Sequence, residues 1–212
     1  MELIGRGRTA EVFALSRTRV LRRYHENTSA ADEARIMGYV RERGYPVPEV
    51  YDATERDLVM ERLHGPTMVD VLTRAPWRVG PLGRLLGSLH DRLGAIPAPG
   101  WLRQSLVPGD RMLHLDLHPL NVVMTPDGPS VIDWCNARAG EPAFDLATTV
   151  ALLRTAEAPN LVARLGRRLL IGAILRGSRT DHRPWLGEAV KQRLSDPNIT
   201  AEEKERLRRL AG

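Results

Sequence analysis

The period of the apolar residues changes once along this chain, at Gly65-Pro66, and that change limits the fold more than any other feature. Ahead of it the apolar residues fall in short runs, Leu3-Ile4, Glu11 to Leu15 and Arg19 to Tyr24, with Gly5, Gly7 and Ser16-Arg17-Thr18 between them as turns. Runs so short and closely spaced predict a small antiparallel sheet. One helix interrupts it, with Ser29 as N-cap, Ala30, Glu33, Ala34, Met37 and Val40 at helical spacing, and Gly44 as the stop. Tyr45-Pro-Val-Pro48 reads as a rigid extended linker, and residues 50–53 and 57–63 as a hairpin around Thr54-Glu55-Arg56. Past Gly65-Pro66 the spacing turns helical: Leu82, Leu85, Leu86, Leu89 and Leu93 form the stripe of a buried helix. Further helices are expected over residues 143–154, 160–176, 183–194 and 201–210, the last opened by the capping box Thr200-x-x-Glu203. Strands first and helices after predict an α+β chain of two lobes, 1–64 and 65–212.

Composition excludes several classes. Of 212 residues 42% are hydrophobic and 27% charged, which is unlike a disordered chain. The opening Met-Glu-Leu-Ile-Gly-Arg-Gly lacks the apolar core of a signal peptide, and no stretch approaches the roughly 18 apolar residues of a membrane span. A cytoplasmic protein without a membrane role is expected. Cys135 is the single cysteine, so no internal disulfide can form. The net charge of +5 suggests an anionic partner, yet residues 1–150 carry −1 and residues 151–212 carry +6. The excess therefore lies on the C-terminal helices without interleaved aromatics, which reads as a solvated face rather than a nucleic-acid surface.

The chemistry-bearing residues surround a second expected hairpin. Val122 to Met124 and Ser130 to Ile132 are split by Thr125-Pro-Asp-Gly128, and a loop of four to five residues is expected there. Asp116 lies five residues before Asn121, and Asp133 lies twelve after it, at the hairpin's far end. A hairpin returns the chain to its start, so Asn121 and Asp133 can approach one Mg²⁺ as oxygen ligands while Asp116 addresses an acceptor hydroxyl. The plainer alternative is that Asp116 and Asn121 are turn or capping residues and Asp133 ends a strand.

His114-Leu-Asp116-Leu-His-Pro-Leu-Asn121 together with Ile132-Asp133-Trp134 resembles the aminoglycoside phosphotransferase-like (choline kinase-type) family of the protein-kinase-like superfamily. The resemblance runs from the glycine loop near Gly5 to about Leu152, and Leu115 stands where glycine is common. It implies a bilobal protein-kinase-like fold: an antiparallel sheet with one helix in the first lobe, and a mainly helical second lobe. It also implies that Asp145 braces the catalytic loop through its backbone and that His114 bonds within that loop. Gly5-x-Gly7-x-x-Ala10-x-Val12 resembles the phosphate-covering glycine loop, with a tight hairpin turn as the alternative. The family's phosphate-pairing lysine has no counterpart, because the first lysine is Lys191; alignment puts Arg22 in that role, with Glu33 as its ion-pair partner. Guanidinium can bridge phosphate oxygens, though not with lysine's geometry. The backbone from Glu61 to Leu63 is implied to hold adenine.

The resulting expectation is an ATP- and Mg²⁺-dependent phosphotransferase, with GTP as the alternative donor, acting on a hydroxyl of a small molecule. The charge of residues 151–212 argues against a cationic aminoglycoside as that molecule. Two other readings stand beside it: a nucleotide-binding pseudokinase serving as an interaction module, and a compact atypical protein kinase.

Overall fold

The computed structural model describes residues 1–7, 9–25, 29–195 and 199–211; Arg8, an intervening position of the glycine loop, lies outside them. Along the chain run β1 (Glu2–Arg6), β2 (Ala10–Ala14), β3 (Arg19–Tyr24), α1 (Ala30–Arg41), β4 (Val50–Ala53), β5 (Asp57–Glu61), α2 (Met68–Arg74) and α3 (Val79–Gly94). There follow β6 (Arg111–Leu113), β7 (Val122–Thr125), β8 (Gly128–Val131), β9 (Arg138–Gly140), α4 (Pro142–Thr155), α5 (Leu161–Gly177), α6 (Leu186–Leu194) and α7 (Ala201–Ala211). Among the described residues no helix is long and apolar enough to cross a membrane.

One compact unit comprises Met1–Thr67 and Leu120–Asn136. Its antiparallel sheet has the order β1-β2-β3-β5-β4. β3 pairs with β5 because α1 carries the chain across between β3 and β4, burying Ala30, Glu33, Ile36, Met37 and Val40. The Ser29 side chain accepts from Asp32 N–H and starts that helix; such a cap is worth roughly 1 kcal/mol.

The segment 120–136, expected in the second lobe, belongs to this unit and is bonded to the carbonyls of Pro46 and Pro66. Val131 N–H donates to Pro46 O at 2.8 Å and Met124 N–H to Pro66 O at 2.8 Å. Trp134, fully buried, meets the Tyr45 ring edge-on at 5.5 Å. Gly65 is required here: a Cβ on it would lie 2.1 Å from Met124 O. The β7–β8 hairpin is tighter than expected. Thr125 pairs with Gly128, so Pro126 and Asp127 alone make the loop, and Gly128 takes a φ of +125° that a side chain would oppose.

The second unit comprises Met68–Pro119 and Ala137–Gly212. α3 and α5 pack at backbone distance, since a Cβ on Gly87 would lie 2.2 Å from Ile174 O and one on Gly177 2.3 Å from Arg84 O. Leu82, Leu86, Leu89 and Leu93 are buried along α3, as their spacing predicts. A second cluster gathers Leu113, Leu115, Phe144, Ala147, Ala151, Ala189, Val190 and Leu207 from β6, the loop that follows it, α4, α6 and α7. The helix expected from residue 183 starts as a 3-10 turn over Arg183–Trp185 before α6. At α7 the Thr200 hydroxyl accepts from Glu203 N–H at 3.1 Å. Sequence spacing missed α2, whose seven residues bury Met68 alone, and the two short strands β6 and β9, which pair antiparallel.

Candidate active site

Asp116 sits in a loop of the second unit whose peptide groups are held by α4. Asp145 Oδ1 accepts from Leu115 N–H at 2.6 Å, and the Thr149 hydroxyl donates to Leu117 O at 2.7 Å. His90, from α3, stands between these two braces: its Nδ1 is 3.1 Å from Asp145 Oδ2 and its Nε2 3.2 Å from Thr149 Oγ1. Burial by itself would push the Asp145 carboxyl up, but the hydrogen bond and charge of His90, with His114 and Leu115 N–H, hold it below the usual carboxylate range. His114 is fully buried and its Nδ1 accepts from Asp116 N–H at 3.3 Å. The Asp116 side chain is 24% exposed, and its Oδ1 lies 3.3 Å from His118 Nε2. Leu115 adopts the left-handed φ of +62° while only 8% exposed. Glycine would take that φ without penalty, whereas leucine offsets it with the burial of its side chain.

In the first unit Arg22, Glu33, Asp133 and Asn121 come from β3, α1 and the two ends of the β7–β8 hairpin. Arg22 Nη1 donates to Glu33 Oε1 at 3.1 Å and Nη2 to Asp133 Oδ1 at 2.7 Å. Glu33 Oε1 also accepts from Trp134 N–H at 2.8 Å, while the buried Oε2 has no hydrogen-bond partner among the described residues. Burial raises the Glu33 carboxyl above its usual range against the pull of Arg22. Burial would lower Arg22, and its two carboxylates more than reverse this. Asp133 itself has a φ of +69°, and the Cys135 thiol donates to its Oδ1 at 3.2 Å. Burial, then the charges of Asp133 and Glu33, push that thiol far up, so it stays protonated. Asn121 is 8% exposed, and its carbonyl accepts from Ile132 N–H at 3.0 Å, which closes the hairpin beside Asp133.

Gly5 lies in β1 opposite Val12, next to an irregularity in the pairing, and Gly7 N–H donates to Ala10 O at 2.8 Å. Neither glycine has a positive φ, and a Cβ on Gly5 would make ordinary contact with Val12 at 3.6 Å. The protein's own packing therefore does not require glycine at Gly5. At the end of β5, Glu61 N–H donates to Glu49 O and Arg62 N–H to Thr18 O. Among the described residues the N–H and C=O of Leu63 have no hydrogen-bond partner.

Among the described residues no group of three or more His, Cys, Asp or Glu side chains is gathered as for a metal ion. Two oxygen side chains, Asn121 and Asp133, suit Mg²⁺, which keeps most of its ligands from water and phosphate. His90, Thr149 and Cys135 were not singled out by sequence reasoning. His90 lies within the leucine stripe of α3 and looks like core from its neighbours; a polar residue on an otherwise apolar face was the available signal.

A family model described as the phosphotransferase enzyme family (APH) matches residues 1–110 and 92–185. A probable serine/threonine-protein kinase, the BUD32 homolog of Archaeoglobus fulgidus, is 29% identical over 102 residues, 48% of this chain; the match spans 42% of that relative's length. A choline/ethanolamine kinase family protein from Mesorhizobium loti superposes with a TM-score of 0.64 at 16% identity, covering 99% of this chain and 86% of that one. The aminoglycoside phosphotransferase APH(4)-Ia gives 0.63 at 16% identity over 99% and 92% of the two chains. The streptomycin–ATP complex of APH(2")-IIa gives 0.64 at 11% identity over 99% and 90%. These likenesses show the fold, an α+β arrangement of antiparallel sheet and helices.

Proposed function

We propose, for a chain that belongs to the phosphotransferase enzyme family, that it moves the γ-phosphate of ATP to a hydroxyl of a small molecule with Mg²⁺ as cofactor. The observation that carries this reading is the bracing of the loop around Asp116: the peptide N–H before it and the C=O after it are fixed by two side chains of one helix. A carboxylate held so firmly can orient a hydroxyl and accept its proton. The bond between acceptor oxygen and γ-phosphorus forms as the bond to the β,γ-bridging oxygen breaks, ADP leaves, and the proton passes to Asp116. Mg²⁺, held by Asn121 and Asp133, would supply charge neutralisation at the phosphate oxygens.

Arg22 pairs the phosphates in place of lysine, and Glu33 keeps its guanidinium directed. Gly5 and Gly7 leave room for phosphates against the β1–β2 backbone. The Leu63 N–H and C=O take the adenine edge, beside Glu61. His114 and Asp145 act through the loop backbone.

Replacing Asp116 with alanine tests this directly. ADP release should be followed across a panel of hydroxylated small molecules, with ATP and with GTP. Turnover should fall by about 10²- to 10⁴-fold; an unchanged rate would overturn the assignment and favour a nucleotide-binding module. A compact protein kinase is the second reading, favoured by the similarity to the Archaeoglobus fulgidus relative. Phosphorylated protein as the product, with no small molecule accepting phosphate, would decide for it.

A further inference from the structure

A cleft of about 400 Å³ opens in the second unit, lined by Arg154, Arg167, Arg168, Ile171, Gly172 and Leu175. Arg154 comes from α4, five residues beyond Thr149 and so about 7.5 Å further along the axis; the other lining residues come from α5. Three arginines thus line one cleft together with Ile171 and Leu175. Among the described residues no carboxylate forms an ion pair with Arg154, Arg167 or Arg168. Elsewhere the arginines of this chain do find acids, as Arg22, Arg23, Arg183 and Arg193 show.

The surroundings add to the positive charge. Burial, then Arg164, Arg168 and Arg206, hold the Arg167 guanidinium below its usual value, and the buried Nε of Arg206 has no hydrogen-bond partner among the described residues. Arg167 Nη1 donates to Ala156 O, and among the described residues no carboxylate joins these like charges, which an anion would relieve.

We infer that this cleft is a binding site for a small organic anion, a phosphate or carboxylate joined to an apolar group. The guanidinium groups take the charged end, and Ile171 and Leu175 receive the apolar part. The site is distinct from the nucleotide and Mg²⁺ residues assigned above, all of which lie in the first unit.

The experiment is calorimetric titration of the full chain with phenyl phosphate, inorganic phosphate and benzyl alcohol, in the absence of nucleotide. Phenyl phosphate should bind with a Kd of about 1 mM or tighter. Inorganic phosphate should bind about tenfold more weakly, because some 60 Å² of apolar surface is then left unburied. Benzyl alcohol should not bind measurably. Arg154 and Arg168 are exposed, so Arg154→Gln and Arg168→Gln should fold normally, as checked by circular dichroism. Each should weaken phenyl phosphate about tenfold, and an exposed control, Arg78→Gln, should not. Asp116→Asn should bind phenyl phosphate like the wild type, so the result stands apart from the fate of the phosphotransfer reading. Unaltered binding in the Arg154→Gln, Arg168→Gln double variant, or retention of polyanions alone with steep salt dependence, would overturn the inference.

Discussion

Leu115 sets two effects of opposite sign against each other, and its substitution separates them. Its φ of +62° costs an L-residue about 1–2 kcal/mol relative to glycine. Its side chain is 8% exposed and lies in the cluster with Phe144, Ala147 and Leu207. Truncating a buried leucine to alanine costs about 2–5 kcal/mol, with about 3 as a central value. Leu115→Ala keeps the backbone strain and loses the packing, so it should destabilise by about 3 kcal/mol. Leu115→Gly regains the strain term, less about 0.5–1 kcal/mol for glycine's freedom in the unfolded chain, and should come out near 2.5 kcal/mol. Both should be less stable than the wild type, with glycine slightly above alanine. Urea denaturation followed by circular dichroism measures this, and the midpoint in a thermal scan should fall by about 5–10 °C for either variant. A glycine variant as stable as the wild type would show that the left-handed backbone outweighs burial here. An alanine variant clearly more stable than glycine would refute the claim that the left-handed φ carries strain.

Removing the Arg22 guanidinium with Arg22→Met leaves Glu33 buried without its cation and should destabilise by about 3–5 kcal/mol in the same urea assay; Arg22→Lys should cost less. Gly65→Ala places a Cβ 2.1 Å from Met124 O and should lower stability by about 1–3 kcal/mol, read as a lower urea midpoint. His182 is held below the ordinary imidazole value of 6.5, by burial and then by Arg154. Because its folded value lies under the unfolded one, its contribution is complete above about pH 6.5 and is lost as pH falls through the folded value. The wild type should therefore lose stability relative to His182→Gln on acidification below pH 6.5, and a pH-independent difference would contradict this.

The α+β class and most elements were legible from apolar spacing, because α3 and the strands of the first unit each repeat their period often enough to be read. Short elements were not. β6 and β9 have three residues each, and their pairing joins Arg111 to Gly140 across a stretch that no local pattern spans. The β7–β8 loop was misjudged because Pro126-Asp127 hides the strand character of the flanking Thr125 and Gly128. Within the candidate site, motif spacing pointed to Asp116, Asn121 and Asp133 as residues, whereas their neighbours depend on distant chain. Arg22 meets Asp133 across 111 positions and His90 meets Asp145 across 55. Contacts of that separation follow from packing, which single-sequence periodicity does not encode.

Asp145 and Thr149 are one turn apart on α4, and they hold Leu115 and Leu117, two residues apart in the loop. Four residues of helix rise about 6 Å, and that rise separates the two braces along α4. The helix thus works as a gauge block: helical pitch sets the spacing of the two side chains that hold the loop around Asp116, and a substitution within the loop leaves that spacing unchanged. Variation in this loop can change which side chain is presented, while the place from which it is presented stays fixed to α4 through Asp145 and Thr149.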